Sequence, residues 1–275
     1  MTKTICINQS NYIPWRGYFD LIRKSDEFLI ADSVQYTHKD WRNRNQIKTQ
    51  SGLIWLTVPV RSSGRLSTCQ RIEETRIADP RWAVKHLASF RHAYRKAAFF
   101  AEVLDWLEPL YGELAAESLL TVVNERLLRR FADYLRIGTV ISRTSNYIPA
   151  EALDHLDRTE RIILLCKAAG ATRYLTGPAA RTYLDEEAMA SAGIEVEWMD
   201  YAGYRPYSQL WGEFEPKVST VDLLFNMGTE AARYVGRQLD IRSYAHPLFP
   251  VRCLPESGAS ACQSGSEKNG SFGTT

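Results

Sequence analysis

Short apolar runs alternate along this chain with longer segments of helical period. Residues 4–8 (TICIN) and 27–30 (EFLI) are brief apolar runs bounded by polar residues, the pattern of buried strands. Between them Pro14 and Gly17 mark a turn, and Tyr18, Phe19, Leu21 and Ile22 predict a short helix. Strand, turn, helix and strand within about thirty residues make a unit of βαβ size, whose ligands collect at the carboxyl ends of the strands. Here those ends are Asn8-Gln9 and Asp32.

The period then changes twice. Residues 46–49 and 53–60 flank Gln50-Ser51-Gly52 and predict a hairpin, with residues 72–77 as a further strand. From Pro80 the pattern is helical: Trp82, Leu87, Phe90 and Tyr94, then Leu120, Val123, Leu127, Phe131 and Leu135, recur at helical spacing. After Ile141 the strand–helix alternation returns. Asp157 and Glu160 form a capping box ahead of an apolar helix that stops at Gly170, and residues 173–176 (RYLT) read as a strand. A helix over 185–192, a strand over 194–199 and a helix capped by Ser219 follow.

The pattern defines an α/β fold: a Rossmann-like, mainly parallel sheet with a β-hairpin excursion and a helical insertion. It divides the chain into an N-terminal α/β part with the ligand-binding motifs (1–80), the helical insertion (81–140), a C-terminal α/β part of the same fold (141–255) and a disordered tail (256–275).

Composition narrows the class. The 275 residues carry 34 Lys plus Arg against 32 Asp plus Glu, a net charge of +2 that gives no general reason for a polynucleotide or membrane surface. No apolar run approaches the ~20 residues of a membrane span, and the polar N-terminus is not a signal peptide, so a cytoplasmic protein is expected. The five cysteines have no paired spacing and read as free thiols. His86, His92, His155 and His246 stand alone, so no metal site is predicted.

Four stretches could carry chemistry. The first is NQSNYIPWRGYF, residues 8–19, where Asn8, Gln9, Asn11 and Tyr12 offer hydrogen bonds, Trp15 and Tyr18 offer rings, and Gly17 would let a phosphate approach. It is equally a surface turn rich in turn formers, and it holds no glycine-rich phosphate fingerprint. The second, residues 32–48, interleaves Gln35, Trp41, Asn43 and Asn45 with Arg42 and Arg44, which share a face if the segment is extended. Such an arginine pair suits a diphosphate or carboxylate, and the interleaving also suits a single-stranded nucleic acid or a plain solvated loop. Asp32 and His38 are its candidate proton acceptors. The third places Thr176, Gly177 and Arg181 at a strand-to-helix turn, and the fourth places Asp222 and Asn226 on one face of a helix, as a site wall or a buried hydrogen-bond network.

With these stretches the sequence resembles the WbqC-like protein family from near the N-terminus to about residue 236. The carrying segments are NQSNYIPWRGYFDLI, DSVQYTHKDWRNRNQIK, LDRTERIILLCKAAGATRYLTGPAARTYL and STVDLLFNMG. The family occurs in bacterial gene clusters for O-antigen and other specialised sugars. The resemblance implies transfer of an acyl or aminoacyl group, glycyl in particular, to the amine of a nucleotide-linked amino sugar, from a donor that is free, carrier-borne or tRNA-borne. In that role Asp32 or His38 is the base, Arg42 and Arg44 hold the anionic part, Asn8, Gln9, Asn11 and Tyr12 orient the reacting groups, and Trp15 or Trp41 stacks on a nucleobase. Three positions depart from the family's pattern: Asn8 stands where a histidine is usual, Ser10 where a proline is, and Ser33 where a second consecutive aspartate is. Asparagine orients but accepts no proton near neutral pH. ATP-dependent adenylation or nucleotidyl transfer, with ATP as the cofactor, and non-catalytic binding of a sugar nucleotide or nucleic acid are the competing readings.

Overall fold

The computed structural model of the protein describes residues 2–61 and 70–237. β1 (Thr4–Asn8), α1 (Arg16–Arg23) and β2 (Glu27–Ile30) come first, at the positions their apolar spacing predicts. β3 (Arg44–Thr49) and β4 (Gly52–Thr57) pair antiparallel as the expected hairpin, with Gly52 at φ +104° where the chain reverses. Three helices follow: α2 (Trp82–Tyr94), α3 (Phe100–Leu114) and α4 (Leu120–Tyr134). Then come β5 (Val140–Arg143), the single turn α5 (Ala150–Leu153), α6 (Arg158–Ala168), β6 (Arg173–Thr176), α7 (Glu186–Ser191), β7 (Glu195–Trp198) and α8 (Thr220–Met227).

Five strands form one sheet in the order β5-β2-β1-β6-β7, and every neighbouring pair is parallel. Alternation sorts the two faces. Ile5, Leu29 and Tyr174 pack with Ile162 and Cys166 of α6 and Met189 of α7. Cys6, Phe28, Ile30 and Leu175 pack on the other face with α1, α2–α4 and α8. Cys6 and Cys166 are buried free thiols. The capping box at α6 is formed: Glu160 N donates to Asp157 at 2.8 Å and Asp157 N donates to Glu160 at 2.9 Å.

One predicted strand is replaced. Residues 72–77 contain a 3-10 turn (Ile72–Glu74) and isolated bridges from Arg76 to Leu119 and from Ile77 to Val60 instead. Its apolar ends, Ile72 and Ile77, are buried separately, and Thr75 Oγ1 closes the turn by donating to Arg71 O at 2.9 Å. The turn after β6 is also 3-10 (Pro178–Thr182), too short for a helix N-terminus to hold an anion. The predicted tail, 256–275, lies outside the described residues.

Candidate functional site

From β1 the chain moves one way across the sheet to β2 and β5, and the other way to β6 and β7. The order therefore reverses between β1 and β6, and open parallel sheets bind ligands beyond the strand ends at such a point. Asn8 ends β1, and Thr176 with Gly177 ends β6. Beside them lies a pocket of about 390 Å³, walled mainly by apolar surface of Pro14, Trp15, Trp41, Tyr201 and Pro216, with Asn11, Asn45 and Lys217 as its polar members. The volume is that of a small-molecule site.

The loop after β1 is strained and fastened from several sides. Ile13 has φ +36°, costly for a β-branched residue. Asn45 on β3 holds it there, its Nδ2 donating to Tyr12 O at 3.1 Å and to Ile13 O at 2.9 Å. The Tyr12 side chain goes into the core, where its hydroxyl meets His86 Nδ1 at 2.6 Å and the Tyr111 hydroxyl at 2.8 Å. Burial pushes the Tyr12 hydroxyl pKa well up. Tyr12 is therefore an anchor of the loop and Asn45 its clamp.

Asp32 acts on the same loop. It is buried at the end of β2 and accepts from Ser10 N at 2.8 Å, Ser10 Oγ at 2.6 Å and Thr121 Oγ1 at 2.5 Å. Asn124 Nδ2 extends the network to Ser10 Oγ at 3.0 Å and Arg42 O at 2.8 Å. Burial raises the Asp32 pKa against the opposing pull of these bonds and of Arg42. Asp32 is not among the pocket's lining residues, so it positions Ser10 and its neighbour Asn11. Two of its three bonds need the Ser10 N–H and hydroxyl, which a proline at that position could not supply.

Arg42 and Arg44 do not form a common clamp. Arg42 donates to Asn11 Oδ1 and faces Asp40 at 3.6 Å. This fixes the Asn11 amide and leaves its Nδ2 as the donor available to a ligand. Arg44 stacks on Trp55 at 4.1 Å. His38 is exposed, edge-on to Tyr36 at 5.3 Å, and Gln35 is exposed too. Asn43 is buried and donates to Val58 O at 2.9 Å. Tyr18 is buried and donates to Gln9 O at 2.6 Å, while Asn8 Oδ1 accepts from Gln9 N at 2.9 Å.

Asp222 is a buried acceptor for Tyr94 at 3.0 Å, Tyr207 at 2.8 Å and Gln209 at 2.8 Å. Asn226 bonds back to Asp222 O at 2.7 Å within α8. Of the two explanations for this polar pair, the structure shows the hydrogen-bond network. Arg181 stacks on Trp198 at 4.1 Å.

Three pocket residues escaped the sequence reading: Tyr201, Pro216 and Lys217. They lie in an irregular segment with no period to read. Arg16 holds that segment to α1: its buried guanidinium sits against Tyr204, Tyr207 and Phe214 and donates to Arg205 O at 2.7 Å. Tyr201 packs 5.1 Å from Trp15, and a Cβ on Gly177 would stand 3.2 Å from its hydroxyl oxygen, so this ring links the pocket to the β6 end.

Gly17 has a steric role in place of the expected phosphate contact. A Cβ there would come within 2.4 Å of the Trp15 ring. Gly17→Ala should therefore displace Trp15 from the pocket wall and cost about 1–3 kcal/mol of stability by overpacking. Near-UV circular dichroism and urea denaturation check this; an unchanged tryptophan signal would show that the ring does not depend on Gly17.

The fold is α/β, with a pocket of small-molecule size next to the loop that follows β1. Residues 9–234 match the model of the WbqC-like protein family, and the chain belongs to that family. It is 50% identical over 233 residues to Rv1507c, an uncharacterized protein of Mycobacterium tuberculosis (strain ATCC 25618 / H37Rv), covering 85% of this chain and 97% of that protein. No solved structure matches the chain. Among the described residues no group of three or more His, Cys, Asp or Glu side chains could hold a metal ion, and no helix is long and apolar enough to cross a membrane.

Proposed function

We propose that the pocket binds a nucleotide-linked amino sugar and that the protein transfers an acyl or aminoacyl group, glycyl in the family's terms, to the sugar's amine. The observation that supports this most is the aromatic slot: Trp15, Trp41 and Tyr201 offer ring faces to a base or sugar beside the switch point. Lys217 supplies a cation for a phosphate oxygen, and the Asn11 Nδ2, oriented by Arg42, suits a carbonyl oxygen. In the reaction the amine nitrogen bonds to the carbonyl carbon, the donor's leaving group departs from that carbon, and the nitrogen loses one proton to the leaving group or to water. Asp32 acts here as a positioning residue, through Ser10.

A second reading is a binding protein without catalysis. The buried state of Asp32 and the presence of Asn8 where the family carries histidine favour it.

The test is thermal stability against nucleotide-linked 4-amino sugars, nucleoside diphosphates and ATP. A ligand at ~100 times its Kd adds about 2.7 kcal/mol, or roughly 5–10 °C for a unit of this size. We expect a shift selective for the amino-sugar nucleotide and lost in Trp15→Ala. A shift with ATP alone would replace this reading with adenylation. Mass analysis of the acceptor after incubation with a glycyl thioester separates transfer from binding.

A further inference from the structure

Trp41 has a second neighbour outside the pocket. Its ring lies 5.5 Å from Trp55 of β4, and both indoles are 42% exposed. Arg44, diagonal to Trp55 across the hairpin, lays its guanidinium on that ring at 4.1 Å and donates to Lys39 O at 2.5 Å. The Arg44 Nε is buried without a hydrogen-bond partner, and among the described residues neither Arg44 nor Lys39 pairs with a carboxylate. Lys39 is held at φ +56° and is exposed, as is His38 beside it. Asp40 is the one acidic residue between 38 and 44, and it faces Arg42 at 3.6 Å.

We propose that this hairpin face binds single-stranded RNA, with bases stacking on Trp55 and Trp41 and the backbone running past Arg44 and Lys39. Exposed indoles beside unpaired cations are the two elements by which proteins hold a single strand: ring faces take successive bases whatever their identity, and cations follow the phosphates. The guanidinium on Trp55 is already stacked, so little of its freedom is lost when a phosphate arrives. Charge argues against a second copy as the occupant, because a self-paired face would bring Lys39 and Arg44 against their own like. The low net charge of +2 limits the contact to a short strand. Trp41 belongs both to this face and to the pocket wall, so a strand ending there would place its terminal group at the pocket. The proposal goes beyond the acyl-transfer reading and concerns a surface that shares only Trp41 with the pocket.

The test is fluorescence anisotropy of a labelled, unstructured RNA oligonucleotide with the full chain at several salt concentrations. We expect saturable binding that Trp55→Ala weakens about tenfold and Trp55→Phe largely retains. Arg44→Ala should reduce the slope of log affinity against log salt by about 0.7, one phosphate contact on a single strand. Lys39→Ala, at an exposed residue that does not line the pocket, should weaken RNA binding and leave the thermal shift with the amino-sugar nucleotide unchanged, so failure here is distinct from failure of the pocket's reading. Absence of saturable binding, equal affinity for duplex RNA, or binding indifferent to Trp55→Ala overturns the proposal. So does self-association in sedimentation that Trp55→Ala abolishes, which makes the face a protein interface.

Discussion

Asp222→Ala should lower the unfolding free energy by about 3–5 kcal/mol, the size expected when a buried charge that others depend on is removed. Three donors lose their acceptor at once: the hydroxyls of Tyr94 and Tyr207 and the amide of Gln209. The loss spreads to Lys48, whose buried ammonium bonds to Gln209 Oε1 at 2.9 Å and whose charge opposes the rise that burial gives the Asp222 pKa. Asp222→Asn keeps an acceptor and should recover part of the stability. Urea denaturation followed by circular dichroism measures both. A cost under about 1 kcal/mol for the alanine variant would mean that water replaces the carboxylate and that the network is not closed.

The second large effect is a loss of stability in mild acid through His86. Burial lowers its pKa to about 4, opposed by the hydrogen bond to the Thr57 backbone. His86 Nδ1 and the Tyr12 hydroxyl lie 2.6 Å apart, and a neutral ring can accept a hydrogen bond from that hydroxyl. The unfolded chain titrates near ~6.5. Between that value and about 4 the unfolded state binds the proton more readily, so the contribution is complete above ~6.5 and is lost as pH falls through the window. The span corresponds to about 3 kcal/mol. Other carboxylates titrate in the same range, so the measurement is the difference between wild type and His86→Gln from pH 7 to pH 4. That difference should shrink by about this amount; a constant difference would place the ring's proton affinity at its ordinary value. Tyr12 carries the strained loop, so ligand affinity should fall over the same interval.

Legibility in the sequence followed physical simplicity. β1, β2 and β6 are short apolar runs buried on both sides, and their bounds follow from composition alone. Residues 72–77 misled because Ile72 and Ile77 enter the core one at a time from a turn, and a six-residue window with apolar ends reads as a strand. Of the first stretch, Asn11 and Trp15 line the pocket, and Trp41 and Asn45 do so from the second. The same polar alphabet serves two purposes there. Asn11 faces the pocket, Tyr12 faces inward, and Asn45 lines the pocket while bonding the loop backbone, and no local pattern separates them, because a side chain beside a turn can bond a ligand or the turn itself. Tyr201 and Lys217 were invisible for another reason: the contacts that bring them to Trp15 run through Arg16 and span nearly two hundred residues.

The position of β1 between β2 and β6 matters while the protein is being synthesised. β1 ends at residue 8, and the partner for its second edge ends at residue 176. At ~5–20 residues per second the ribosome needs about ten to thirty seconds to make the chain between them. Throughout that interval the first strand of the nascent chain offers an open edge of unpaired N–H and C=O groups, the feature that recruits other strands. Fragments that stop before β6 should therefore aggregate, and heterologous production should improve at a lower temperature or with added chaperone capacity. The same delay means that the pocket, which needs residues from Asn11 to Lys217, exists only once almost the whole described chain has left the ribosome.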